Sequence, residues 1–345
     1  MKVAIATVQV PFINGGAEIM TQGLLDALRA AGHRTEVVTL PFRFGPPAAV
    51  RENMDWWQAL DFDGFDCGAI DRVVALKFPA FYLRHPEMRV WLMHQHRSVY
   101  ELFDTPFGER SDHLDSVRFK DEVALRDTKA LRAARAVFTI SRTVGERLTR
   151  FNGIASTPLY QPPHFADQFI AGEDMPYVFC PSRLESLKRQ SLLLRAMAHV
   201  RPPVYAFFAG EGGQSQELRR LSEELGLQHR VRFLGQIHDQ EKIRYYSNSL
   251  AVFFGPLHED YGFVTLEAML SSKPVITCVD SGGPTEFVVD GQTGRVVAPD
   301  EHAVAEAING LWANRQAARE MGRNGRAHYM SMDISWDSVI DALTC

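Results

Sequence analysis

The chain has 345 residues, 46% of them hydrophobic, and its 37 basic and 42 acidic residues give a net charge of −5. That length exceeds what one hydrophobic core usually holds, so two domains are expected. A slightly acidic chain without a local basic patch argues against nucleic acid as a partner. No stretch approaches the roughly 20 apolar residues of a membrane-spanning helix, so a soluble, cytoplasmic protein is expected.

In the first half, apolar runs and helical spacing predict a βαβ unit followed by further buried strands. Residues 41–87 are rich in aromatic residues and proline, and their pattern reads as irregular. The expected elements are strands at Lys2 to Val8, Thr35 to Leu40, Met88 to Met93 and Ala136 to Ile140, with helices at residues 19–31 and near 121–134.

The second half alternates short apolar runs with helical patterns, which predicts a doubly wound parallel sheet. Its strands are expected at Tyr177 to Pro181, Val204 to Ala209, Val231 to Leu234, Leu250 to Gly255 and Pro274 to Val279, with helices beginning near Leu187, Ser215, Asp239, Val264 and Gly283.

A proline-rich linker at about residues 161–176 separates the two halves. The predicted fold is therefore α/β, with two Rossmann-like doubly wound domains facing across a cleft. The boundaries are 1–165, 166–330 and a C-terminal helix at 331–345 that crosses back to the first domain, with one apolar face.

The four cysteines are too far apart in sequence for a metal knuckle or a redox pair. A disulfide framework is also unusual in so large a chain, and reduced thiols are expected. They are Cys67, Cys180, Cys278 and Cys345.

Ligands of open parallel sheets bind at the carboxyl edge, where most of the unusual side chains of this sequence are expected. Glu259 and Glu267 are separated by seven residues in "EDYGFVTLEAM". On one unbroken helix they would be about 12 Å apart along the axis. A tight turn at Gly262 before a helix near Val264 allows both carboxylates to face one pocket. Paired acids beside free helix amides suit a polyol such as a sugar or ribose, whereas the alternative is two surface charges.

Two cations follow the first strand of the second domain, in "SRLESLKR". Arg183 offers a bidentate fork and Lys188 a mobile point charge, and together they suit a diphosphate. The alternative is a solvated charge run that also includes Arg189.

Two glycine loops also follow predicted strands, "NGGAE" at residues 14–18 and "FAGEGG" at 208–213. Gly15 and Gly16 either cradle phosphate or simply make a turn, and Gly210 lets the backbone approach a ligand. Neither loop has the G-x-G-x-x-G spacing, which disfavours a dinucleotide dehydrogenase.

His94 and His96 end another predicted strand. No third metal ligand is near in sequence, so a positioning or proton-handling role for His94 competes with an ordinary hydrogen-bonded histidine. Asp61-Phe62-Asp63 is similar to an acidic metal motif, but a polar turn is favoured because it lies outside the strand-end pattern.

Six segments, in this order, make the chain resemble the retaining glycosyltransferases of family 4, which have the GT-B fold and are also described as glycosyl transferases group 1. The resemblance covers nearly the whole length. The segments are "NGGAE", "SRLESLKR", "FAGEGG", "VRFLG", "EDYGFVTLEAM" and "SGGPTEFVVDGQTGRVVAPD".

The resemblance implies a nucleotide-sugar donor in the second domain. It implies diphosphate contacts from Arg183 and Lys188, ribose contacts from Glu267 and sugar contacts from Glu259. It further implies that His94 lines the reacting side, and that backbone amides contact the sugar or phosphates at Gly15, Gly16, Gly210, Gly262, Phe263 and Val264.

No metal and no cofactor is expected beyond the nucleotide sugar. The expected acceptor is a sugar or lipid-linked sugar in cell-surface polysaccharide or glycolipid assembly. Residues 72–91 mix cations with aromatic residues. A buried core with ordinary solvated arginines is the favoured interpretation of that stretch, and an amphipathic surface in peripheral contact with the inner face of the membrane is the alternative. Two rival functions stay open, a nucleotide-sugar epimerase of the same fold and a non-catalytic nucleotide-sugar-binding subunit.

Overall fold

The computed structural model describes residues 1–12, 15–62 and 68–345. These residues divide into two compact units. Unit 1 comprises Met1–Gln161 with Ser335–Cys345, and unit 2 comprises Pro162–Ile334. Expectations about Asn14, Asp63 and Cys67 fall outside the described residues. The other three cysteines are free, with Cys180 and Cys278 buried and Cys345 exposed.

Unit 1 contains a parallel sheet in the order β2-β1-β3-β4-β5-β6, with helices packed beside it. Its central strands are short and apolar, as expected of strands covered on both faces. The strands are β1 (Lys2–Gln9), β2 (Arg34–Pro41), β3 (Arg72–Ala75), β4 (Met88–Leu92), β5 (Ala136–Thr139) and β6 (Thr157–Pro158), and the helices are α1 (Gly16–Ala30), α2 (Pro47–Ala59), α3 (Leu114–Ala133) and α4 (Arg142–Asn152).

The stretch 41–87 is more regular than the sequence indicated. It contributes α2 and the strand β3, which lies between β1 and β4 in the sheet. Val50, Met54 and Trp57 of α2 are fully buried, and their spacing is that of one helix face. The prediction of an irregular segment was therefore wrong for these two elements.

Unit 2 contains a second parallel sheet, in the order β12-β11-β10-β7-β8-β9. Its strands are β7 (Tyr177–Pro181), β8 (Tyr205–Ala209), β9 (Val231–Gly235), β10 (Ala251–Phe253), β11 (Val275–Cys278) and β12 (Gly294–Val297), and its helices are α5 (Gln190–Met197), α6 (Ser215–Glu224), α7 (Asp239–Asn248), α8 (Phe263–Leu270), α9 (Pro284–Phe287), α10 (Glu301–Ala313) and α11 (Arg315–Ser331).

Strands β7 to β11 of unit 2 lie where the sequence predicted them, because they are continuous apolar runs, whereas β12 was not predicted. One helix start differs. A helix was expected from Leu187, but Ser186–Lys188 is a single 3₁₀ turn and α5 begins at Gln190. Arg189 between them is left-handed, with φ of 51°, and interrupts the helix.

The last helix, α12 (Trp336–Thr344), packs on unit 1. The Trp336 ring meets Trp91 edge to face at 6.3 Å between centroids. Two arginines secure its carboxyl end, since Arg72 donates to the Leu343 carbonyl at 3.2 Å and Arg89 donates to that of Ala342 at 2.7 Å. Cations at this end of a helix interact favourably with its dipole.

Residues 72–91 form part of the core of unit 1. The aromatic side chains of this stretch, Phe78, Phe81, Tyr82 and Trp91, are all buried. The buried-core interpretation is therefore confirmed for the aromatic residues, whereas the arginines are not all solvated, since the Arg72 side chain is only 11% exposed. No helix within residues 1–12, 15–62 and 68–345 is both long enough and apolar enough to cross a membrane.

A buried polar network surrounds Asp127, which is fully buried on α3. Its carboxyl group accepts hydrogen bonds from Tyr82 at 2.6 Å and Tyr100 at 2.7 Å. Asn152 donates to the Tyr100 oxygen at 3.4 Å and accepts from the Gln95 side chain at 2.6 Å. The network thus joins α3 and the end of α4 to the segment after β4.

Burial raises the pKa of Asp127 to about 7, and the two tyrosine hydrogen bonds oppose this only in part. An unfolded aspartate has a pKa near 3.9, so the folded state binds this proton more tightly. Raising the pH from the unfolded pKa of about 3.9 to the folded pKa of about 7 therefore favours unfolding. We expect the thermal midpoint to fall as the pH rises from about 4 to about 7, and to fall less in Asp127→Asn.

The control is Asp121→Asn, which changes an exposed acid on the same helix. Its pH profile, measured by circular dichroism, should follow that of the unaltered chain. Parallel profiles for Asp127→Asn and the unaltered chain would contradict the assignment of the proton to Asp127.

Candidate functional site

Arg189 ties together three strand-following segments of unit 2. Its guanidinium donates to the carbonyls of Gly255 and Pro256, both at 2.8 Å, and forms a fork on Asp280 at 2.6 and 2.8 Å. Partial burial would raise the pKa of Asp280, but the Arg189 hydrogen bonds and charge outweigh it and lower that pKa. Arg189 therefore joins the segments after β7, β10 and β11.

Lys188 and Glu259 form an ion pair beside this clamp. The Lys188 Nζ lies 2.5 Å from Oε2 of Glu259, and the two side chains are 20% and 21% exposed. The ammonium also lies 5.6 Å from the centroid of the Phe254 ring. An ammonium has three donors, so Lys188 can engage an anion while it remains near Glu259.

The Gly282-Gly283 loop holds the backbone of Glu259 on both sides. Glu259 N donates to Ser281 O at 2.8 Å, and its carbonyl accepts from Gly283 N at 2.9 Å. A Cβ at Gly282 would lie 2.5 Å from the Glu259 carbonyl, and Gly282 has a φ of +73°. Glycine is therefore required here by both the backbone conformation and the close approach.

Helix α8 begins directly after Gly262, which is left-handed with φ of 100°. This is the tight turn that the sequence predicted. The amides of Phe263 and Val264 belong to the first turn of α8, where backbone donors have no acceptor within the helix. Backbone amide donors thus lie at the positive end of this eight-residue helix, at Gly262, Phe263 and Val264.

Glu267 is only 7% exposed and has two partners on α7, a buried tyrosine and a half-buried lysine. It accepts from Tyr246 Oη at 2.6 Å and from Lys242 Nζ at 3.0 Å. Burial opposes the charge on Lys242, but attraction to Glu267 outweighs it and raises the Lys242 pKa. Glu267 is therefore held in a fixed orientation, with carboxylate acceptor positions to spare.

Arg183 differs from the other cations after β7, because its side chain is 53% exposed and its nearest acid among the described residues, Glu185, is 3.9 Å away. Gly210 follows β8 and approaches the same segment, since a Cβ there would meet the Ser182 carbonyl at 2.3 Å. Packing within the protein thus already explains the glycine. A donor contact by Gly210 stays a prediction.

In unit 1, Gly15 precedes α1 and Gly16 is the first residue of that helix. The Gly15 amide donates to Glu18 Oε2 at 2.8 Å, so that donor is occupied within the protein. Glu18 Oε1 lies 3.8 Å from Nζ of Lys77, a buried lysine that follows β3. Burial lowers the pKa of Lys77, and attraction to Glu18 only partly opposes this. The phosphate role of the two glycines stays a prediction.

His94 follows β4 in unit 1 and is half-buried. Its Nδ1 lies 2.8 Å from the Gln95 carbonyl, which can only accept, so Nδ1 carries a hydrogen. In the neutral ring Nε2 is then an acceptor. The Gln95 side chain belongs to the Asp127 network, so buried hydrogen bonds hold the segment that carries His94.

His96 has a different environment from His94. It is buried and stacks on Phe78, with ring centroids 5.0 Å apart. Burial lowers its pKa to about 4 and keeps the ring neutral. Among the described residues, the one cluster with the spacing of metal ligands is His199, Glu301 and His302, which does not include His94 or His96.

Sequence reasoning missed four side chains of these neighbourhoods. Arg189 was assigned to a charge run, and Lys77 followed a strand that was not recognised. Lys242 and Tyr246 lie on one face of a predicted helix at i and i+4, a detectable spacing, but their pairing with Glu267 is a contact between helices.

Gly282→Ala tests the loop that holds Glu259. The matched control is Gly291→Ala, because Gly291 has a similar φ of +72° but no atom of the described residues within 4 Å of where a Cβ would lie. Both changes carry the cost of a left-handed alanine, about 1 kcal/mol, but only Gly282→Ala adds the clash with the Glu259 carbonyl. We expect urea unfolding to show a larger loss for Gly282→Ala, and equal losses would contradict the proposed constraint.

Comparison with known proteins gives a family match for unit 2. Residues 164–328 match the family model described as Glycosyl transferases group 1. The chain is 38% identical over 111 residues to the alpha-1,3/1,6-mannosyltransferase ALG2 of Dictyostelium discoideum, covering 32% of this chain and 26% of that protein. It is 33% identical over 175 residues to the GDP-mannose-dependent alpha-(1-6)-phosphatidylinositol monomannoside mannosyltransferase of Mycolicibacterium smegmatis, covering 47% and 45%.

The chain therefore spans less than half of the length of these two relatives. Among solved structures, it is similar to sucrose-phosphate synthase from Thermosynechococcus elongatus, with a TM-score of 0.78 and 20% identity over 99% of this chain and 97% of that one. The predicted fold of two Rossmann-like α/β domains is thus confirmed. Unit 2 is similar to group 1 glycosyl transferases along nearly its whole length.

Proposed function

We propose that this chain is a retaining glycosyltransferase that moves a sugar from a nucleotide-diphosphate sugar to a hydroxyl acceptor. The observation that carries the proposal is the Lys188–Glu259 ion pair at 2.5 Å, formed where β7 and β10 end. A cation for a diphosphate and an acid for sugar hydroxyls lie side by side there. Both belong to the segment that matches the glycosyl transferase model.

Arg183 and Lys188 bind the donor diphosphate in this proposal. The Arg183 fork is more than half exposed and has no acid of the described residues closer than 3.9 Å, so binding an anion requires little rearrangement of existing contacts. Lys188 adds a second cation held near its site by Glu259. Charge-assisted hydrogen bonds from such groups are about twice as strong as neutral ones.

Glu259 and the start of α8 hold the transferred sugar. The Glu259 carboxylate accepts from sugar hydroxyls, and the first-turn amides at Gly262, Phe263 and Val264 donate to sugar or phosphate oxygens. Glu267 accepts from the ribose hydroxyls. Its fixed hydrogen bonds to Lys242 and Tyr246 support this role, because a carboxylate oriented before binding loses less entropy on binding.

The charge that builds on the departing diphosphate is stabilised by Arg183, Lys188 and the α8 amides, without a requirement for a metal ion. The bond between the anomeric carbon and the diphosphate oxygen breaks, and the acceptor oxygen bonds to that carbon from the same face. The acceptor proton passes to the departing diphosphate. Glu259 orients the sugar without bonding to it covalently.

Mannose is the first sugar to test, because both relatives described above are named mannosyltransferases. The proposed acceptor is a sugar or lipid-linked sugar used in cell-surface polysaccharide or glycolipid assembly. The lipid-linked alternative places the chain at the inner face of the membrane. A role of His94 on the reacting side stays a prediction, with Nε2 available as an acceptor.

The function is tested by incubating the purified chain with GDP-mannose and a panel of UDP-sugars, with and without EDTA. We expect slow hydrolysis that releases free sugar and nucleoside diphosphate, with the donor's anomeric configuration in the first product and no loss in EDTA. Formation of an epimer would support the epimerase, and binding without turnover would support the non-catalytic subunit. Loss of all turnover in EDTA would contradict the metal-independent mechanism.

Arg183→Ala should lower turnover more than donor binding. Negative charge on the diphosphate grows as its bond to the anomeric carbon breaks. The Arg183 guanidinium therefore stabilises the transition state more than it stabilises the bound donor. We expect kcat to fall about 100-fold and the donor Kd to rise less than about tenfold. Arg220→Ala is the control, because Arg220 is an exposed arginine of α6 that pairs with Glu217 and Glu224. Equal losses in kcat and binding would assign Arg183 to ground-state binding.

A further inference from the structure

A second cluster of polar side chains lies in unit 2, outside the proposed donor site. His199 follows α5, and Glu301 and His302 are the first two residues of α10. One potential ligand atom from each of the three lies within 4.8 Å of the others. None of these residues has a role in the proposed transfer reaction.

The spacing within the cluster suits coordination of one ion. Nε2 of His199 lies 3.4 Å from Oε1 of Glu301. Two ligands of a tetrahedral zinc ion, each about 2.0–2.1 Å from the metal, are separated by about 3.3 Å. The imidazole rings of His199 and His302 have centroids 4.2 Å apart. The His199–Glu301 distance therefore approaches that of two ligands of one zinc ion before any metal is added, and His302 lies close enough to join them.

The backbone on the α10 side of the cluster is fixed by a helix cap. Asp300 Oδ1 accepts hydrogen bonds from His302 N at 3.0 Å and Ala303 N at 2.9 Å. The cap holds Glu301 and His302 at the start of a thirteen-residue helix. Two ligands thus come from a rigid element, which reduces the entropy lost on binding a metal.

The segment after α5 is tied to the same helix. His199 N donates to the Ala196 carbonyl at 2.9 Å. Two residues later, Arg201 N donates to Asn309 Oδ1 at 3.2 Å and the Arg201 guanidinium lies 2.7 Å from Glu306. Both of these Arg201 contacts connect the His199 segment to α10, so the third ligand is held close to the other two.

We infer that His199, Glu301 and His302 form a binding site for Zn²⁺. Two imidazole nitrogens and one carboxylate oxygen are typical zinc ligands, whereas Mg²⁺ and Ca²⁺ prefer oxygen alone. The side chains of His199 and Glu301 are 40% and 36% exposed, so an ion can enter from solvent and retain water as a fourth ligand. Bound zinc would brace the end of α5 against the start of α10.

Isothermal titration of the full chain, freed of metal with EDTA and dialysed, tests the site. We expect saturable binding of one Zn²⁺ per chain, no comparable binding of Mg²⁺, and a thermal midpoint that rises with zinc. His199→Gln and His302→Gln should each weaken zinc binding at least about tenfold. Glutamine keeps a polar side chain at these positions, so circular dichroism without metal should be unchanged.

His229→Gln is the control, because His229 is an exposed histidine outside the cluster. Its zinc affinity should equal that of the unaltered chain. No saturable zinc binding, or equal binding by the His199, His302 and His229 variants, would overturn the site. The donor panel described above does not depend on this result, since the proposed transfer is expected to survive EDTA.

Discussion

The four hydrogen bonds of Arg189 are the constraint on which the unit 2 site depends. They hold together the segments that follow β7, β10 and β11, and each segment contributes to the site. The first carries Lys188, the second leads to Glu259, and the third leads into the Gly282-Gly283 loop. Without the Arg189 guanidinium, the carbonyls of Gly255 and Pro256 and the Asp280 carboxylate would each lose a hydrogen-bond donor. Loss of a donor costs about 1–3 kcal/mol for each acceptor that is buried.

The charges of the site are arranged in pairs with one exception. Lys188 faces Glu259 and Lys242 faces Glu267, with 2.5 Å and 3.0 Å between the charged atoms. Arg183 has no comparably close partner in the part of the chain that the structure describes, since Glu185 is 3.9 Å away. The charges of Lys188 and Lys242 are already balanced by the two glutamates, so the negative charge of the proposed diphosphate would need a further cation. The Arg183 fork is therefore the group best able to neutralise it, which is consistent with an anionic ligand.

Local patterns predicted strands β7 to β11 of unit 2 and the turn at Gly262, because buried parallel strands are short apolar runs and glycine marks a left-handed turn. They failed for β3, which is only four residues long and lies among prolines and aromatic residues. They also failed for Arg189, whose partners are 66 to 91 residues away. No local pattern separates a clamping arginine from a solvated one, because the difference lies entirely in contacts distant in sequence.

The two acids that the sequence singled out are held in different ways, and this separates their proposed roles. Glu267 is nearly buried, and its hydrogen bonds come from neighbouring α7, so it can accept ribose hydroxyls without moving. Glu259 is fixed through its backbone, while its side chain contacts the flexible side chain of a lysine. In the proposed complex, Lys188 engages a phosphate and the Glu259 carboxylate gains acceptor capacity for sugar hydroxyls. Under this proposal, diphosphate binding and sugar binding are coupled through the Lys188–Glu259 ion pair.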